Sequence, residues 1–271
     1  HKYIYNKSMI KQFRDICIEI LPDIQKRRIP NFLERSNLES VFIEFRVLPH
    51  VETVILNLIT QLDNEWSHSV VCGKKNANLM NEICKRISSK IKIYVLDIED
   101  DCDINRYNNL LYSPSFWKMF NGEKVLIYQE DSFVFKPSIN DFLQYDYIGA
   151  PWSLHYKHEG LPHQGNGGFS LRNRKLMIQI LEDNYPYNIH FSKHRNGIKL
   201  DNYPEDVFFS TIIRDKKLGN FANSCIASEF STEAILNTTS FGGHQFWIND
   251  VNWKERIFNS ISNYSENTRL Q

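Results

Sequence analysis

The chain has 271 residues, of which 42% are hydrophobic and 24% are charged, a balance that is ordinary for a globular protein with its own core. Because 32 basic residues balance 32 acidic ones, the composition gives no support to a protein that binds nucleic acid or another polyanion. No apolar run approaches the roughly 20 residues of a membrane span and no signal peptide is visible, so we expect a soluble, cytoplasmic protein. The five cysteines are an odd number without CxxC spacing, which predicts reduced thiols rather than a disulfide framework.

The first part of the chain is charged and has a helical pattern. Ile16, Ile20 and Ile24 recur at helical spacing, and Pro30 then ends the pattern. We therefore expect residues 1–37 to form a helical lead-in or a linker. Since the chain does not begin with Met, we also expect it to be a fragment of a longer protein.

Strand-like and helix-like segments alternate after this lead-in. Predicted strands cover residues 40–47, 68–73, 90–96 and 124–131, and predicted helices cover residues 51–62, 76–87, 104–120 with a bend at Pro114, and 175–181. Such alternation is typical of an α/β domain with a parallel sheet and helices on its faces. We expect this domain to span residues 38–250 and a helical tail to span residues 251–271. The patterns GxGxxG and GxxxxGKS/T do not occur, so a dinucleotide dehydrogenase and a P-loop NTPase are disfavoured.

An apolar strand runs directly into the polar triplet Gln129-Glu130-Asp131. Desolvating a carboxylate is costly, so carboxylates at a buried strand end need a partner. Mg²⁺ and Mn²⁺ prefer one or two carboxylates together with the phosphates of a substrate. This pattern indicates Asp131 as a metal ligand, with Glu130 or Gln129 directed towards a ribose. The alternative is an acidic turn that closes a hairpin.

Two further motifs follow in the second half of the chain. The glycines of Gly165-Asn166-Gly167-Gly168 allow a backbone to approach a ligand closely, although a plain tight turn is the alternative. Glu205 and Asp206 follow Pro204 at a predicted helix start, where an acidic residue caps the helix or stabilises its dipole. The functional alternative is a catalytic base that removes a proton from an acceptor hydroxyl.

Single residues complete the set of candidates. His244 lies in a Gly-Gly-His motif, and a neutral imidazole suits Mn²⁺ better than Mg²⁺, although a lone His is more often structural. Arg46 follows the first predicted strand and could pair with a diphosphate or with an internal acid. His155, His158 and His163 fit no zinc template, which favours an acceptor-side or solvated position.

Taken together, these motifs resemble an uncharacterised glycosyltransferase-like family of bacteria and large DNA viruses, related to the GT-A-fold glycosyltransferases. The resemblance covers about residues 38–250. The segments that carry it are Glu44-Phe45-Arg46, Cys72-Gly73-Lys74-Lys75-Asn76, Tyr107-Asn108-Asn109, Tyr128-Gln129-Glu130-Asp131, Gly165-Asn166-Gly167-Gly168-Phe169-Ser170-Leu171-Arg172, Pro204-Glu205-Asp206 and Gly243-His244.

The resemblance implies a GT-A-like single α/β domain with a mixed, mostly parallel central sheet flanked by helices. It also implies a nucleotide-sugar donor and Mn²⁺ or Mg²⁺. Asp131 matches the last acid of the DxD-type motif and His244 the histidine that completes the metal site, whereas Gln129 departs from the first Asp of that motif. The positions implied to contact the donor are Arg46, Gly73, Asn76, Gln129, Glu130, Gly167 and Gly168.

The expected function is transfer of a sugar from a nucleotide-diphosphate donor to a hydroxyl of a glycan, protein or small-molecule acceptor, in a bacterium or a virus-infected host cell. Asp206, with Glu205 as its rival, would be the base of an inverting enzyme, and in a retaining enzyme the two acids would orient the sugars. A non-catalytic carbohydrate- or nucleotide-binding module is the alternative that Gln129 favours. A glycoside hydrolase that uses Asp131 and Asp206 as its acid pair is a third hypothesis.

Overall fold

The structure, a computed structural model, describes residues 2–153, 162–183, 194–195, 198–199 and 203–269, and the side chains of residues 8–153, 162–183 and 203–264. The helices are α1 (Lys2–Ile24), α2 (Val51–Gln61), α3 (Ala77–Ile87), α4 (Ile104–Leu111), α5 (Pro114–Lys118), α6 (Arg174–Glu182), α7 (Glu205–Lys216), α8 (Ser224–Phe230) and α9 (Trp253–Arg269). The strands are β1 (Leu38–Ile43), β2 (Trp66–Gly73), β3 (Lys92–Leu96), β4 (Lys124–Tyr128), β5 (Ser132–Val134), β6 (Tyr147–Gly149), β7 (Phe169–Asn173), β8 (His194–Arg195), β9 (Ile198–Lys199), β10 (Ser231–Thr232) and β11 (Gly242–His244).

The central sheet has six strands in the order β3-β2-β1-β4-β7-β6. The first four are parallel to one another, and β7 runs antiparallel to both β4 and β6. This confirms the predicted α/β fold with a mixed, mostly parallel sheet between helices. Among the described helices, none has both the length and the apolar character that crossing a membrane would require.

Successive residues of the central strands face two separate hydrophobic cores, because side chains alternate between the two faces of a strand. Leu126 and Tyr128 of β4 belong to the core beneath α1, α2 and α3, whereas Val125 and Ile127 belong to the core beneath α4 to α7. The strands are therefore buried on both faces, which explains why their sequences are continuous apolar runs.

The strand directions bring three chain segments to one edge of the sheet. β1 and β4 are parallel, with Phe42 opposite Tyr128, so the residues after both strands emerge at the same edge. β7 is antiparallel and begins at Phe169, which pairs with Tyr128. The residues just before β7 therefore lie at this edge too. In open α/β sheets this edge is where ligands bind.

A smaller sheet of β10, β11 and β5 adjoins this edge. Asn57, buried in α2, fixes β5 through both halves of its amide: its nitrogen donates to the carbonyl of Val134 at 3.0 Å, and its oxygen accepts from the amide of Val134 at 2.7 Å. β11 then pairs antiparallel with β5, so that His244 lies opposite Ser132, next to Asp131. The pairing of these two short strands places His244 beside the acidic triplet.

Both terminal helices are packed into the fold. Phe13 and Ile24 of α1 and Trp253 and Ile257 of α9 are buried in the core that α2 completes. A boundary at residue 37 or 251 would cut through a single core. Amphipathic helices of this kind are stabilised mainly by such packing.

Several predicted elements are shorter than expected. The helix predicted over residues 104–120 is two helices, α4 and α5, because Ser113 is extended and Pro114 starts a new helix. The strand predicted over residues 124–131 ends at Tyr128, since the amide of Ser132 closes a turn by donating to the carbonyl of Gln129 at 3.1 Å. This turn directs Glu130 and Asp131 off the sheet.

Candidate functional site

A cavity of about 390 Å³ opens at the edge of the sheet where β1 and β4 end. Three of its walls are the residues after β1, the triplet Gln129-Glu130-Asp131, and the Gly turn (residues 165–168) before β7. The others are the first turn of α7, part of α4, and His244 with Gln245. The structure therefore brings together Arg46, the acidic triplet, Gly167, Gly168, Glu205, Asp206 and His244.

Asp131 and His244 face each other in this cavity. Oδ1 of Asp131 lies 3.2 Å from Nε2 of His244, and both atoms are buried without a hydrogen-bond partner among the described residues. Oδ2 of Asp131 accepts from the side-chain amide of Gln245 at 2.8 Å, and Nδ1 of His244 lies 3.5 Å from Oε1 of Glu233. One oxygen and one ring nitrogen are thus held together at the cavity wall.

The charges of this pair reinforce each other. Burial alone would lower the pKa of His244, but Asp131 and Glu233 outweigh burial and raise it to about 10. Burial alone would raise the pKa of Asp131, but His244, Gln245 and Arg46 outweigh burial and hold that pKa below its ordinary value. Without a metal, the pair is a buried ion pair over the neutral pH range.

These two side chains also fit a divalent metal. A carboxylate oxygen and an imidazole nitrogen are a donor set that suits Mn²⁺, and neither of the facing atoms is used by another hydrogen bond. Among the described residues, no group of three or more His, Cys, Asp and Glu side chains is arranged to hold a metal by itself. With only two protein ligands, a metal at this position would take its remaining ligands from phosphate oxygens and water. Metals that bind nucleotides are usually held in this way.

Glu130 is held by three basic side chains instead of facing the cavity as a free carboxylate. Arg14 of α1 donates to both of its oxygens, at 3.2 and 2.6 Å, His50 lies 2.7 Å from Oε2, and Arg46 lies 3.2 Å from Oε1. Burial would raise the pKa of Glu130, but His50 and Arg14 outweigh it and the pKa is lowered. Glu130 therefore anchors the basic side chains around it.

Arg46 pairs with internal acids, one of its two predicted alternatives. Its Nε and Nη2 donate to the two carboxylate oxygens of Glu44 at 2.8 and 2.6 Å, and Nη2 also reaches Glu130. Burial would lower the pKa of Arg46, but Glu44 and Glu130 outweigh it and raise it. The side chain is still 41% exposed and lines the cavity, so part of it remains accessible to a ligand.

The Gly turn is closely packed against the acidic helix start and His244. A β-carbon at Gly168 would clash with the imidazole of His244, and one at Gly167 would clash with the carboxylate of Glu205. The turn is fixed by the amide of Gly168, which donates to Oδ1 of Asn166 at 3.0 Å. Gly167 and Gly168 are thus required because neighbouring side chains leave no room for a β-carbon, whereas Gly165 has a positive φ of 134°.

Glu205 and Asp206 have different environments although they are adjacent in sequence. Both oxygens of Glu205 accept from the buried guanidinium of Arg172, at 2.5 and 2.9 Å. Asp206, 9% exposed, accepts from the backbone amides of Gly167 at 3.0 Å and Val207 at 2.8 Å, and has no ion-pair partner in the part of the chain whose side chains are described. Of the two carboxylates, Asp206 is therefore the one that is not held by a guanidinium among the described residues.

Two residues that were predicted to contact the donor, Gly73 and Asn76, do not line the cavity. The side chain of Asn76 donates to the carbonyls of Glu44 and Arg46 and accepts from the amide of Gly73, so it fixes the loop after β1 from behind. His155 and His158 lie outside the described residues, and His163 contacts the carbonyl of Ala222 at 3.0 Å.

Some residues of the site were not assigned a role from the sequence. Tyr107 and Asn108 occur in the quoted motifs and line the cavity, whereas Arg14, His50 and Glu233 carried no local signal. Only contacts between distant parts of the chain reveal these three.

Residues 91–244 match the sequence model of a family described as Protein of unknown function (DUF5672). The chain belongs to this family. The segment that DUF5672 covers begins just before β3 and ends at His244, so it contains Asp131, the Gly turn and Asp206 but neither Arg14 nor Arg46. A comparison of the sequence with curated proteins found no match.

Several solved structures resemble this DUF5672 protein. A mannosyltransferase from Pyrobaculum calidifontis in complex with GDP-Man and Mn²⁺ is 10% identical with a TM-score of 0.46, over 82% of this chain and 64% of that one. Mouse xyloside xylosyltransferase 1, apo form, is 11% identical with a TM-score of 0.49, over 76% of this chain and 96% of that one. The apo-form glycosyltransferase GlyE of Streptococcus pneumoniae TIGR4 is 12% identical with a TM-score of 0.44, over 72% of this chain and 46% of that one.

This chain thus spans less than two thirds of the length of the first and third of these proteins. All three TM-scores lie below 0.5 and all three identities are 12% or lower. The function of the DUF5672 protein therefore has to be argued from the residues of its own cavity.

Proposed function

We propose that the protein is a glycosyltransferase that moves a sugar from a nucleotide-diphosphate donor to an acceptor hydroxyl with the help of a divalent metal. One arrangement supports this function: a facing carboxylate–imidazole pair lines the same cavity as a separate carboxylate that has no ion-pair partner among the described side chains. The cavity lies at the ligand-binding edge of an α/β sheet. The pair suits a metal diphosphate, and the separate carboxylate suits the acceptor.

Asp131 and His244 would hold the metal, Mn²⁺ or Mg²⁺, through Oδ1 and Nε2. A divalent ion bound there neutralises the charge that builds on the departing nucleoside diphosphate. Gln245 supports this role because it keeps Oδ2 of Asp131 occupied and so leaves Oδ1 directed at the imidazole. Arg46, a partly exposed residue of the same cavity, would pair with a diphosphate oxygen.

Asp206 would act on the acceptor. If the reaction inverts the sugar, the acceptor oxygen forms a bond to the anomeric carbon while the bond from that carbon to the diphosphate oxygen breaks, with its electron pair leaving on the diphosphate. The proton of the acceptor hydroxyl passes to Asp206. If the reaction retains the configuration, Asp206 orients the sugar. Glu205 is a poorer base because Arg172 already occupies both of its oxygens.

The remaining predicted donor contacts have separate tasks in this proposal. Gly167 and Gly168 provide a wall without side chains along which the donor sugar can lie. Gln129 would face the ribose. Glu130 would act indirectly, by holding Arg14 and Arg46 in place. The acceptor would be a glycan, a protein or a small molecule.

The hydrolase alternative is less well supported by the site. A glycosidase needs one protonated carboxyl group as a general acid, and such a group has a raised pKa. The pKa of Asp131 is instead held below its ordinary value, and the carboxylate is already paired with His244. A non-catalytic binding module would use the same cavity and would bind nucleotides without turnover.

Ligand binding is tested by thermal shift with UDP, GDP, CDP and TDP, each with Mn²⁺, Mg²⁺ or EDTA. A ligand at 100 times its dissociation constant should stabilise the fold by about 2.7 kcal/mol. We expect one nucleotide to give a shift that EDTA abolishes and that Asp131→Ala removes. Asp141→Ala, which changes an exposed carboxylate, is the control and should retain the shift. The absence of any shift with the wild-type protein would refute the transferase proposal.

Turnover separates the enzyme from a binding module. With the nucleotide identified, release of nucleoside diphosphate from its sugar conjugate is measured with mixed glycan and small-molecule acceptors. We expect Asp206→Asn to lower kcat by at least about 100-fold while nucleotide affinity stays within twofold. Asp215→Asn, an exposed change on the same helix, is the matched control. Binding without release in the wild-type protein would favour the module.

A further inference from the structure

Two buried polar groups of α4 line the cavity without a hydrogen-bond partner among the described residues. They are the hydroxyl oxygen of Tyr107 and Nδ2 of the next residue, Asn108. Buried polar groups are nearly always paired in folded proteins, so two unpaired groups on neighbouring residues of one cavity wall need an explanation.

The orientation of the Asn108 amide is determined by its other contact. The backbone amide of Glu205 donates to Oδ1 of Asn108 at 3.2 Å, and only the oxygen of a side-chain amide can accept a hydrogen bond. Nδ2 is therefore the end that remains for a ligand. Since Asn108 is only 3% exposed, its amide is held in place before any ligand arrives. This group can donate to an oxygen but cannot accept.

Tyr107 lies beside Gln129, Glu205 and Asp206. The side chain of Gln129 is close to its hydroxyl but does not have hydrogen-bond geometry. Burial raises the pKa of Tyr107 well above its ordinary value of 10.0, so the hydroxyl keeps its proton at every working pH. Tyr107 therefore offers both a donor and an acceptor in the cavity that Asp206 also lines.

The charges around these two groups indicate what they would bind. Glu205 and Asp206 are adjacent carboxylates, and among the described side chains Arg172 pairs with Glu205 alone. An additional carboxylate at this position would be repelled, because like charges in a partly buried site destabilise each other. A neutral hydroxyl group has no such cost, and it can accept from Nδ2 of Asn108 while it exchanges a hydrogen bond with Tyr107.

We propose that Tyr107 and Asn108 form the subsite that recognises the hydroxyl groups of the transferred sugar, and that this sugar is a neutral hexose or pentose rather than a uronic acid. This inference rests on the proposed glycosyltransferase function. The two residues determine specificity, since a site built to hydrogen-bond a hydroxyl rejects analogues that lack it or replace it.

One variant changes each of these groups, and the second also adds a negative charge. Tyr107→Phe removes only the hydroxyl. Asn108→Asp keeps the oxygen that accepts from Glu205 and replaces the Nδ2 donor by an acceptor. Tyr112→Phe is the control for the first, because its hydroxyl bonds the carbonyl of Tyr203 outside the cavity. Asn109→Asp, the same charge change at the exposed neighbouring residue, is the control for the second.

Calorimetric titration in the presence of Mn²⁺ compares UDP with UDP-glucose and UDP-glucuronate, and GDP with GDP-mannose and GDP-mannuronate. The wild-type protein should bind one neutral sugar conjugate more tightly than its nucleoside diphosphate and more tightly than its uronate. Tyr107→Phe and Asn108→Asp should each lower the ratio of the affinity for the neutral sugar conjugate to the affinity for its nucleoside diphosphate by about tenfold. The affinity for the nucleoside diphosphate alone should stay within twofold, and both controls should match the wild type.

The outcomes separate this inference from the proposed function. If the wild-type protein binds no nucleoside diphosphate, the transferase proposal fails and the subsite fails with it. If it binds one but Tyr107→Phe and Asn108→Asp keep the full preference for the sugar conjugate, only the subsite is refuted. An equal loss of affinity for the nucleoside diphosphate and its conjugate would also refute it, because that result indicates a structural role. Tighter binding of the uronate would overturn the inferred neutral sugar.

Discussion

Arg14 and Glu130 are 116 residues apart in the chain, yet the guanidinium of Arg14 donates to both oxygens of the Glu130 carboxylate, at 3.2 and 2.6 Å. Arg14 lies on α1, before the segment that the family model covers, and Glu130 lies at the end of β4. The first helix is therefore tied to the candidate site by a charged, partly buried contact. α1 therefore contributes both to the hydrophobic core and to the contacts around Glu130.

Arg14→Ala should destabilise the protein by about 2 kcal/mol, because Glu130 is buried and loses two charge-assisted hydrogen bonds. His50 and Arg46 still contact the carboxylate, which limits the loss. Urea unfolding at pH 7 measures the change. Lys11→Ala, on the same helix but paired only with the exposed Asp15, should change stability by less than about 0.5 kcal/mol. Equal stability of the two variants would show that the Arg14 contact contributes nothing.

Arg172 and Glu205 should show strong coupling in a double-mutant cycle. Arg172→Met or Glu205→Gln alone leaves a buried charge without its partner and should cost about 3–5 kcal/mol. The double variant should recover a large part of this loss, because neither charge is then left alone. Guanidinium unfolding of all four proteins gives the coupling energy. Additive losses would indicate that the two side chains do not act as a pair.

The stability of the metal-free protein should fall as the pH rises from neutral to alkaline. The pKa of His244 is raised from 6.5 to about 10 in the folded state, so folding retains a proton that the unfolded chain releases. The resulting stabilisation is complete below about pH 6.5 and is lost as the pH approaches 10. Unfolding in EDTA from pH 6 to 9.5 should show a steeper decline for the wild type than for His244→Gln. His163→Gln should follow the wild type, and parallel curves for all three would contradict the Asp131–His244 ion pair.

Gly168→Ala should be destabilising only when His244 is present. A β-carbon at residue 168 would clash with the imidazole, and overpacking of this kind costs about 1–3 kcal/mol. In a His244→Ala background the space is available, so the added methyl group should cost less than about 1 kcal/mol. Thermal unfolding of the two single variants and the double variant measures this difference. A similar cost in both backgrounds would place the strain in the backbone instead.

The fold class follows from the sequence because its signal is local. Apolar runs such as residues 124–128 are buried on both faces of a sheet, and the helices between the strands show helical spacing. The triplet Gln129-Glu130-Asp131 was also recognisable, since carboxylates directly after a buried strand require a partner. Pro114 marked an interruption correctly, although it starts a new helix where a bend was expected.

The roles within each acidic pair could not be predicted in the same way. Glu130 and Asp131 are neighbours, but Glu130 is held by Arg14 and His50 whereas Asp131 faces His244. Glu205 and Asp206 are neighbours too, but Arg172 pairs with the first and the Gly turn with the second. A difference between adjacent carboxylates depends on which distant side chain reaches each of them.

The sequence by itself determined the alternation of strands and helices, the acidic end of β4 and the glycine-rich turn before β7, because these depend on residues that are near in the chain. Only the tertiary structure decided that α1 belongs to the site and that β11 brings His244 to Asp131. It also decided that the Tyr107 hydroxyl and Nδ2 of Asn108 have no hydrogen-bond partner among the described residues. The physical reason is that burial and ion pairing depend on distances in space. Those distances are set by strand direction and register, which join segments more than 100 residues apart.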